Sequence, residues 1–288
     1  MKILCLLFSV FFAIVLGEED VSQNIDFIVF KDKKPINTSE LKSKNPVELG
    51  LCNAGEKLAV IVHGFTESCH YPWVLDLVPN LHEYRGGCIV CMDYSYYAKT
   101  INYYSLVEKF KDIQQVLYDQ MVDYEKSGLV PSNTYMFGFS FGAHLVLQTA
   151  SRLGNQVIKQ IDVCDPAGPG FPDMPDAKNS AENVQCIHTS ADLGTLTRNC
   201  HQNWNMGNCG QSQVAGLIDY RLSHGLCPVF YNIAFKNTFR AVPRPFACLL
   251  SPKETQYPDN FKMGYMETRK QEVSGILYAK TSLLYPYM

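Results

Sequence analysis

The segment Gly138-Phe139-Ser140-Phe141-Gly142 holds a serine between two glycines. A short apolar run, Tyr135-Met136-Phe137, leads into it, and a helix-like stretch, Ala143 to Gln148, leads away. A G-x-S-x-G turn between a strand and a helix bends so sharply that flanking glycines are needed, and the serine hydroxyl is left exposed at the bend. The chemistry expected of such a serine is nucleophilic acyl transfer.

A serine hydroxyl is a weak nucleophile near neutral pH, so it needs a histidine base and an acid that orients the histidine. For a serine in this kind of turn the acid follows in the chain and the histidine comes last. Asp165 lies 25 residues after Ser140, where the apolar run Ile161 to Cys164 meets a Pro/Gly turn, Pro166-Ala167-Gly168-Pro169-Gly170. That is the carboxyl end of a strand, where sites of parallel sheets are built. Asp162 competes but falls inside the strand. Three histidines follow Asp165. His188 falls within an apolar strand and reads as structural, and His201 falls in a polar, Asn-rich stretch and reads as a surface residue. His224, in a loop just before the last helix, is free to swing over the sheet and is the expected base. His63, His70, His82 and His144 precede the acid and are set aside on order. The oxyanion of the tetrahedral intermediate needs donors as well. The backbone N–H of Phe141 is one, and that of Phe65, in His63-Gly64-Phe65-Thr66, is the other. Because both donors are main-chain groups, the two phenyl rings are expected to line an apolar site.

The elements that must carry these residues alternate between strand and helix signals, which predicts an α/β fold with a mostly parallel sheet flanked by helices. Leu58–Val62 and Cys88–Met92 are continuous apolar runs, as strands buried on both faces should be. Thr134–Phe137 is the strand into the serine turn, and Val157–Val163 and Val184–Thr189 are two more. Leu106, Phe110, Ile113, Leu117 and Met121 recur at steps of three and four, predicting one amphipathic helix between Ser105 and Gly128. Gly154 should close the helix that leaves the serine turn, and Pro228 should open the last helix.

Met1-Lys2, the apolar run Ile3 to Leu16, Gly17 and the acidic Glu18-Glu19-Asp20 predict a cleaved signal peptide over residues 1–17 and a secreted protein, with residues 18–288 as one domain. The later sequence holds no apolar run long enough for a transmembrane segment. A formal net charge of −3 offers no nucleic-acid footprint. Of 11 cysteines, Cys5 falls in the leader, and the even remainder in a secreted chain predicts disulfides without dictating their pairing. Cys200/Cys209 and Cys227/Cys248 are candidate pairs near in sequence, and Cys164 reads as a buried thiol. The spacings fit no zinc pattern. Asn37-Thr38-Ser39 is an N-glycosylation sequon.

Taken together, Val62-His63-Gly64-Phe65, Gly138 to His144, Asp165-Pro166-Ala167-Gly168-Pro169 and Ser223-His224 resemble the pancreatic lipase family. Within it the chain is similar to the small secreted insect members and the wasp-venom phospholipases A1. The resemblance covers roughly residues 50–280. It implies an α/β-hydrolase fold, Ser140 as nucleophile, Asp165 as acid, His224 as base and an oxyanion hole at Phe65 and Phe141. The implied substrate is a phospholipid, at its sn-1 ester, or an acylglycerol met at a lipid surface. Four departures matter. The chain ends at Met288, so the family's C-terminal β-sandwich and its colipase-type partner are expected to be missing. The family's lid is closed by two cysteines, the second two positions before the base. Here that position is Leu222, and 17 residues separate Cys209 from Cys227, so a very short lid is expected, with a Cys209–Cys227 bridge left open. The family's histidine in the serine turn is Phe139, and its calcium-like acidic cluster is not recognisable, so no metal or cofactor is expected. The family also includes yolk proteins that keep the fold as storage or lipid-binding proteins without catalysis. A full set of Ser140, Asp165 and His224 favours the enzyme.

Overall fold

Leu58–Val62 is apolar at every position because both of its faces are covered. Leu58, Val60 and Val62 join one core cluster, Ala59 and Ile61 join the other, and all five are fully buried. The computed structural model describes residues 20–36, 45–100, 102–154, 157–172 and 176–288. The expected signal peptide at residues 1–17 and the sequon at Asn37 lie outside the described residues.

In chain order the strands are β1 (Asp26–Lys31), β2 (Lys34–Pro35), β3 (Leu58–Val62), β4 (Cys88–Asp93), β5 (Thr134–Phe139), β6 (Gln160–Cys164), β7 (Asn183–His188), β8 (Gln202–Met206) and β9 (Gly275–Ala279). They form one sheet in the order β2-β1-β4-β3-β5-β6-β7-β8-β9. Only β1 pairs antiparallel, with β2 and with β4, and the remaining neighbours are parallel. The helices are α1 (Pro72–Tyr84), α2 (Ser95–Ala98), α3 (Tyr103–Glu108), α4 (Phe110–Lys126), α5 (Phe141–Leu153), α6 (Leu222–Gly225) and α7 (Cys227–Ile233). Residues of α4 and α5 fill the core on one face of the sheet, and residues of α1 and α7 fill the core on the other. This is the mostly parallel, helix-flanked α/β-hydrolase architecture that the motifs predict.

Several details differ from expectation. The stripe between Ser105 and Gly128 belongs to two helices, α3 and α4, that meet at Lys109, although all five of its apolar residues are buried as the periodicity requires. β6 starts at Gln160, three residues later than its apolar run. β8 is Gln-Asn-Trp-Asn-Met and fully buried, a polar strand that the hydropathy pattern hides. Its amides make burial tolerable by pairing: Gln202 Nε2 donates to Lys270 O at 2.7 Å and Val273 O at 2.6 Å. His201, next to it, is half-buried rather than on the surface, and its Nδ1 accepts the Val184 N–H at 3.0 Å.

All ten cysteines among the described residues are paired, as Cys52–Cys88, Cys69–Cys91, Cys164–Cys227, Cys186–Cys200 and Cys209–Cys248. Neither Cys200–Cys209 nor Cys227–Cys248 forms, and Cys209–Cys227 does not form. Cys164 is not a buried thiol. It is bonded across the sheet end to Cys227.

Candidate active site

Ser140 follows β5 directly and precedes α5, with φ 55° and ψ −120°. That left-handed conformation is costly for a residue with a side chain, and it is retained where surrounding packing enforces it. The packing here is severe. A Cβ on Gly142 would meet His63 O at 2.3 Å and Val62 O at 2.5 Å, and one on Gly138 would meet Gly142 O at 2.6 Å. The two glycines therefore let the start of α5 press against β3 and β5, and the turn pushes Ser140 Oγ up from the carboxyl end of β5.

The structure brings Ser140, His224 and Asp165 into one hydrogen-bonded line. His224 Nε2 lies 2.8 Å from Ser140 Oγ, and His224 Nδ1 lies 2.7 Å from Asp165 Oδ2. With Asp165 accepting at Nδ1–H, Nε2 carries the lone pair that faces the serine. Asp165 is fully buried just past β6, with φ 39°. Its Oδ1 accepts the Thr189 and Ser190 N–H groups at 2.8 and 3.2 Å, and Ser190 Oγ donates to Oδ2 at 2.5 Å. Ser190 thus holds Asp165, and no pattern in the sequence marks it. His224 lies in the short helix α6, not in a loop, so its backbone is held rather than free to swing. Phe139, at the position where the family resemblance implies histidine, packs its ring 4.8 Å from the His224 ring and 6.0 Å from Trp73. It thus gives His224 an apolar wall.

The rejected candidates have structural work. Asp162 is buried in mid-sheet, bonded to Tyr231 and Gln160, with Lys270 Nζ at 3.4 Å. Burial pushes the Lys270 ammonium below its ordinary pKa, and the Asp162 charge opposes that. His188 is fully buried at the end of β7, where burial and the nearby Arg198 charge hold its pKa well below the usual range. His144, on α5, donates from Nε2 to Ala167 O at 2.7 Å and stacks on Phe171.

The loop His63-Gly64-Phe65-Thr66 leaves β3 beside Ser140, since a Cβ on Gly64 would sit 3.1 Å from Ser140 Cβ. Phe141 is the first residue of α5, where N–H groups have no partner within the helix. Among the described residues, neither the Phe65 N–H nor the Phe141 N–H has a protein acceptor. The rings divide differently from expectation. Phe65 lines the cavity beside Ser140, whereas Phe141 is fully buried among Tyr94, Phe110 and Phe171 and lines nothing. Tyr103, Tyr104 and Leu193 stand where its ring was expected.

Two hollows meet at Phe65, Phe139 and His224. One, of about 360 Å³, contains Ser140 and is mainly apolar. The other, of about 690 Å³, is bordered by α1, α6 and α7 and carries Arg221, Asn232, Lys236 and Asp76 on its walls. Among the described residues, His63, Cys69 and Asp93 are grouped closely enough to suggest a metal site. The donor set does not fit one, because the Cys69 sulfur is bonded to Cys91 and offers no thiolate. His63 Nε2 and Asp93 Oδ1 remain as neighbours 3.7 Å apart. Burial opposes ionisation of Asp93, but His63 and Ser95 together outweigh it and hold the carboxyl well below its usual range.

The Lipase family model matches residues 13–216, well over half of the chain. The chain belongs to the lipase family. The match stops short of His224, so within this family member the third residue of the line is identified by geometry. Relatives include pancreatic lipase-related protein 2 of Cavia porcellus, 29% identical over 173 residues, which are 58% of this chain and 37% of that protein. Pancreatic triacylglycerol lipase of Oryctolagus cuniculus is 27% identical over 203 residues, 68% of this chain and 41% of that protein. Lipase member H of Rattus norvegicus is 24% identical over 205 residues, 67% and 45% of the two chains. The alignments thus span less than half the length of these relatives.

Proposed function

We propose that this lipase-family chain is a secreted carboxylic ester hydrolase that acts on lipids through Ser140, His224 and Asp165. The single observation that carries the reading is the line Ser140 Oγ–His224 Nε2, His224 Nδ1–Asp165 Oδ2, at 2.8 and 2.7 Å. His224 takes the Ser140 proton as the oxygen attacks the ester carbonyl. The oxyanion is met by the Phe65 and Phe141 N–H groups. On collapse, His224 gives the proton to the leaving alcohol, and an acyl-serine remains. Water, deprotonated by His224, then releases the fatty acid and restores Ser140. Asp165 holds the imidazole tautomer throughout and stabilises its cation. A storage or binding protein gains nothing from the left-handed backbone at Ser140, so that feature favours catalysis.

The substrate proposed is a phospholipid cleaved at its sn-1 ester, with acylglycerol as the weaker one. The apolar hollow beside Ser140 suits one acyl chain, and the larger hollow, with charged and amide groups on its walls, suits the head-group side. The segment between Cys209 and Cys227 is too short for a broad flap, and it bears outward Leu217 and Tyr220, 84% and 81% exposed. These side chains stand next to the site and would touch a lipid surface. Five disulfides suit an oxidising, extracellular setting. Among the described residues no helix is long and apolar enough to cross a membrane.

The test is hydrolysis of phosphatidylcholine and of triolein by the secreted protein, each with and without a chelator, with Ser140→Ala as control. Faster turnover of phosphatidylcholine, insensitive to the chelator and absent in the variant, is the expected result. A preference for triolein or a strict need for calcium would overturn the substrate assignment, and turnover by Ser140→Ala would overturn the mechanism.

A further inference from the structure

Glu67 is a carboxylate only 5% exposed, directly behind the loop that carries Phe65. Among the described residues no Lys or Arg forms an ion pair with it. Its two oxygens are each occupied by one N–H: Oε2 accepts from the Gly64 backbone at 2.8 Å, and Oε1 accepts from the Trp73 indole at 2.9 Å. Burial raises its pKa above the usual range, against the pull of those two donors and of His63 and His224. Tyr71 and Tyr94 are its other titratable neighbours. Burying an unpaired carboxylate costs several kcal/mol, so the position calls for a function.

The surrounding bonds point to one. Tyr94 Oη donates to His63 O at 2.5 Å, His63 Nδ1 lies 2.9 Å from Gly64 O, and the Thr66 N–H donates to Ala98 O at 2.8 Å. The backbone groups on both sides of Phe65 are thereby held, and the Phe65 N–H is left over. That N–H shares a rigid peptide plane with Gly64 O and points the opposite way, so whatever orients Gly64 aims the Phe65 donor. A Cβ on Gly64 would lie 3.1 Å from Ser140 Cβ and 3.3 Å from Glu67 Oε2, so Gly64 touches both the nucleophile and the carboxylate.

We propose that Glu67 is the positioning residue of the oxyanion hole: braced by Trp73, its carboxylate holds Gly64 so that the Phe65 N–H meets the developing oxyanion. The inference rests on Ser140 being the nucleophile. It gives the protein an oxyanion loop set before substrate arrives, and it assigns Trp73 a polar duty besides packing in α1.

Glu67→Gln is the informative variant. An amide has one accepting oxygen, so either Gly64 or Trp73 would face an NH2 group and be pushed away. The expected result on a soluble short-chain ester is a kcat about 10- to 100-fold lower, less than the loss of a whole donor, with KM changed by no more than about twofold. Affinity for a trifluoromethyl ketone, which forms a tetrahedral adduct on the serine, should fall by a similar factor. Trp73→Phe added to Glu67→Gln removes the opposing indole N–H, lets the amide oxygen serve Gly64, and should restore part of kcat. Unchanged kcat and adduct affinity in Glu67→Gln overturn the proposal. So does a loss that Trp73→Phe fails to relieve and that is matched by a lower Tm, since that describes a merely structural residue. A wild-type protein with neither ester turnover nor fluorophosphonate labelling overturns the reading of Ser140 itself, and this role with it.

Discussion

Cys164 is bonded to Cys227, so a single covalent link joins the residue before Asp165 to the third residue after His224. Asp165 and His224 are 59 positions apart in sequence, yet each sits within three residues of the same staple. Its expected contribution is twofold. Replacing both cysteines with alanine should lower stability by about 2–4 kcal/mol, the usual range for a bridge closing a long loop. It should also lower kcat in the still-folded protein, because the start of α7, directly after α6 and His224, loses its tie to the end of β6. Urea unfolding beside an esterase assay well below the transition separates the two effects. Full activity in a destabilised double variant would mean that packing alone holds His224.

Ser140→Ala and His224→Ala should each reduce ester turnover by a thousandfold or more, with the fold retained. Both side chains act at the sheet end, where truncation opens little of the core. Circular dichroism and a soluble chromogenic ester suffice as measurements. If His188→Ala or His201→Ala is the inactive variant while His224→Ala keeps its rate, the base has been misassigned.

Asp165→Asn and Asp162→Asn should fail in different ways. Asn at 165 turns a donor toward His224 Nδ1 and favours the wrong tautomer, so kcat should drop by about 10⁴-fold. At 162 the change leaves the buried Lys270 ammonium without its counter-charge, 3.4 Å away, which should cost about 3–5 kcal/mol of stability. The folded fraction of Asp162→Asn should turn over at the normal rate. The reverse pattern, activity lost at 162 and kept at 165, would exchange their roles.

His144 predicts an acid-side loss of stability. Burial pushes its pKa from the ordinary 6.5 down to about 4, with the bond to Ala167 O opposing. The unfolded chain therefore binds this proton more tightly than the folded one. The stabilisation, about 3 kcal/mol at full strength, is complete above pH 6.5 and drains away as pH falls from there toward 4. Thermal melts across that window should slope less steeply for His144→Gln, whose amide can still donate to Ala167 O. Parallel curves for the two proteins would remove His144 as the source.

Much of the site was legible in the sequence because its constraints are local. Ser140 announces itself through Gly138 and Gly142, which backbone crowding demands, and Asp165 through the step from an apolar strand into a Pro/Gly turn. The burial of β3 and β4 on both faces likewise shows as uninterrupted apolar runs. Other features depend on partners distant in the chain, and only the tertiary structure decided them. β8 reads as a loop because its Gln and Asn side chains find carbonyls near residues 200 and 270 only once the sheet is assembled. Ten cysteines permit many pairings, and the choice of Cys227 for Cys164 follows from where β6 ends and α7 begins in space. Phe141 turned its ring into the core because α5 packs that face against Phe110 and Phe171. Ser190 and Glu67 carry no motif. Glu67 meets Gly64 within one loop, but its burial beside Trp73 is decided by the fold. Ser190 acquires its place by meeting Asp165 across the fold, and a one-dimensional pattern cannot record a contact between groups that only folding brings within hydrogen-bond reach.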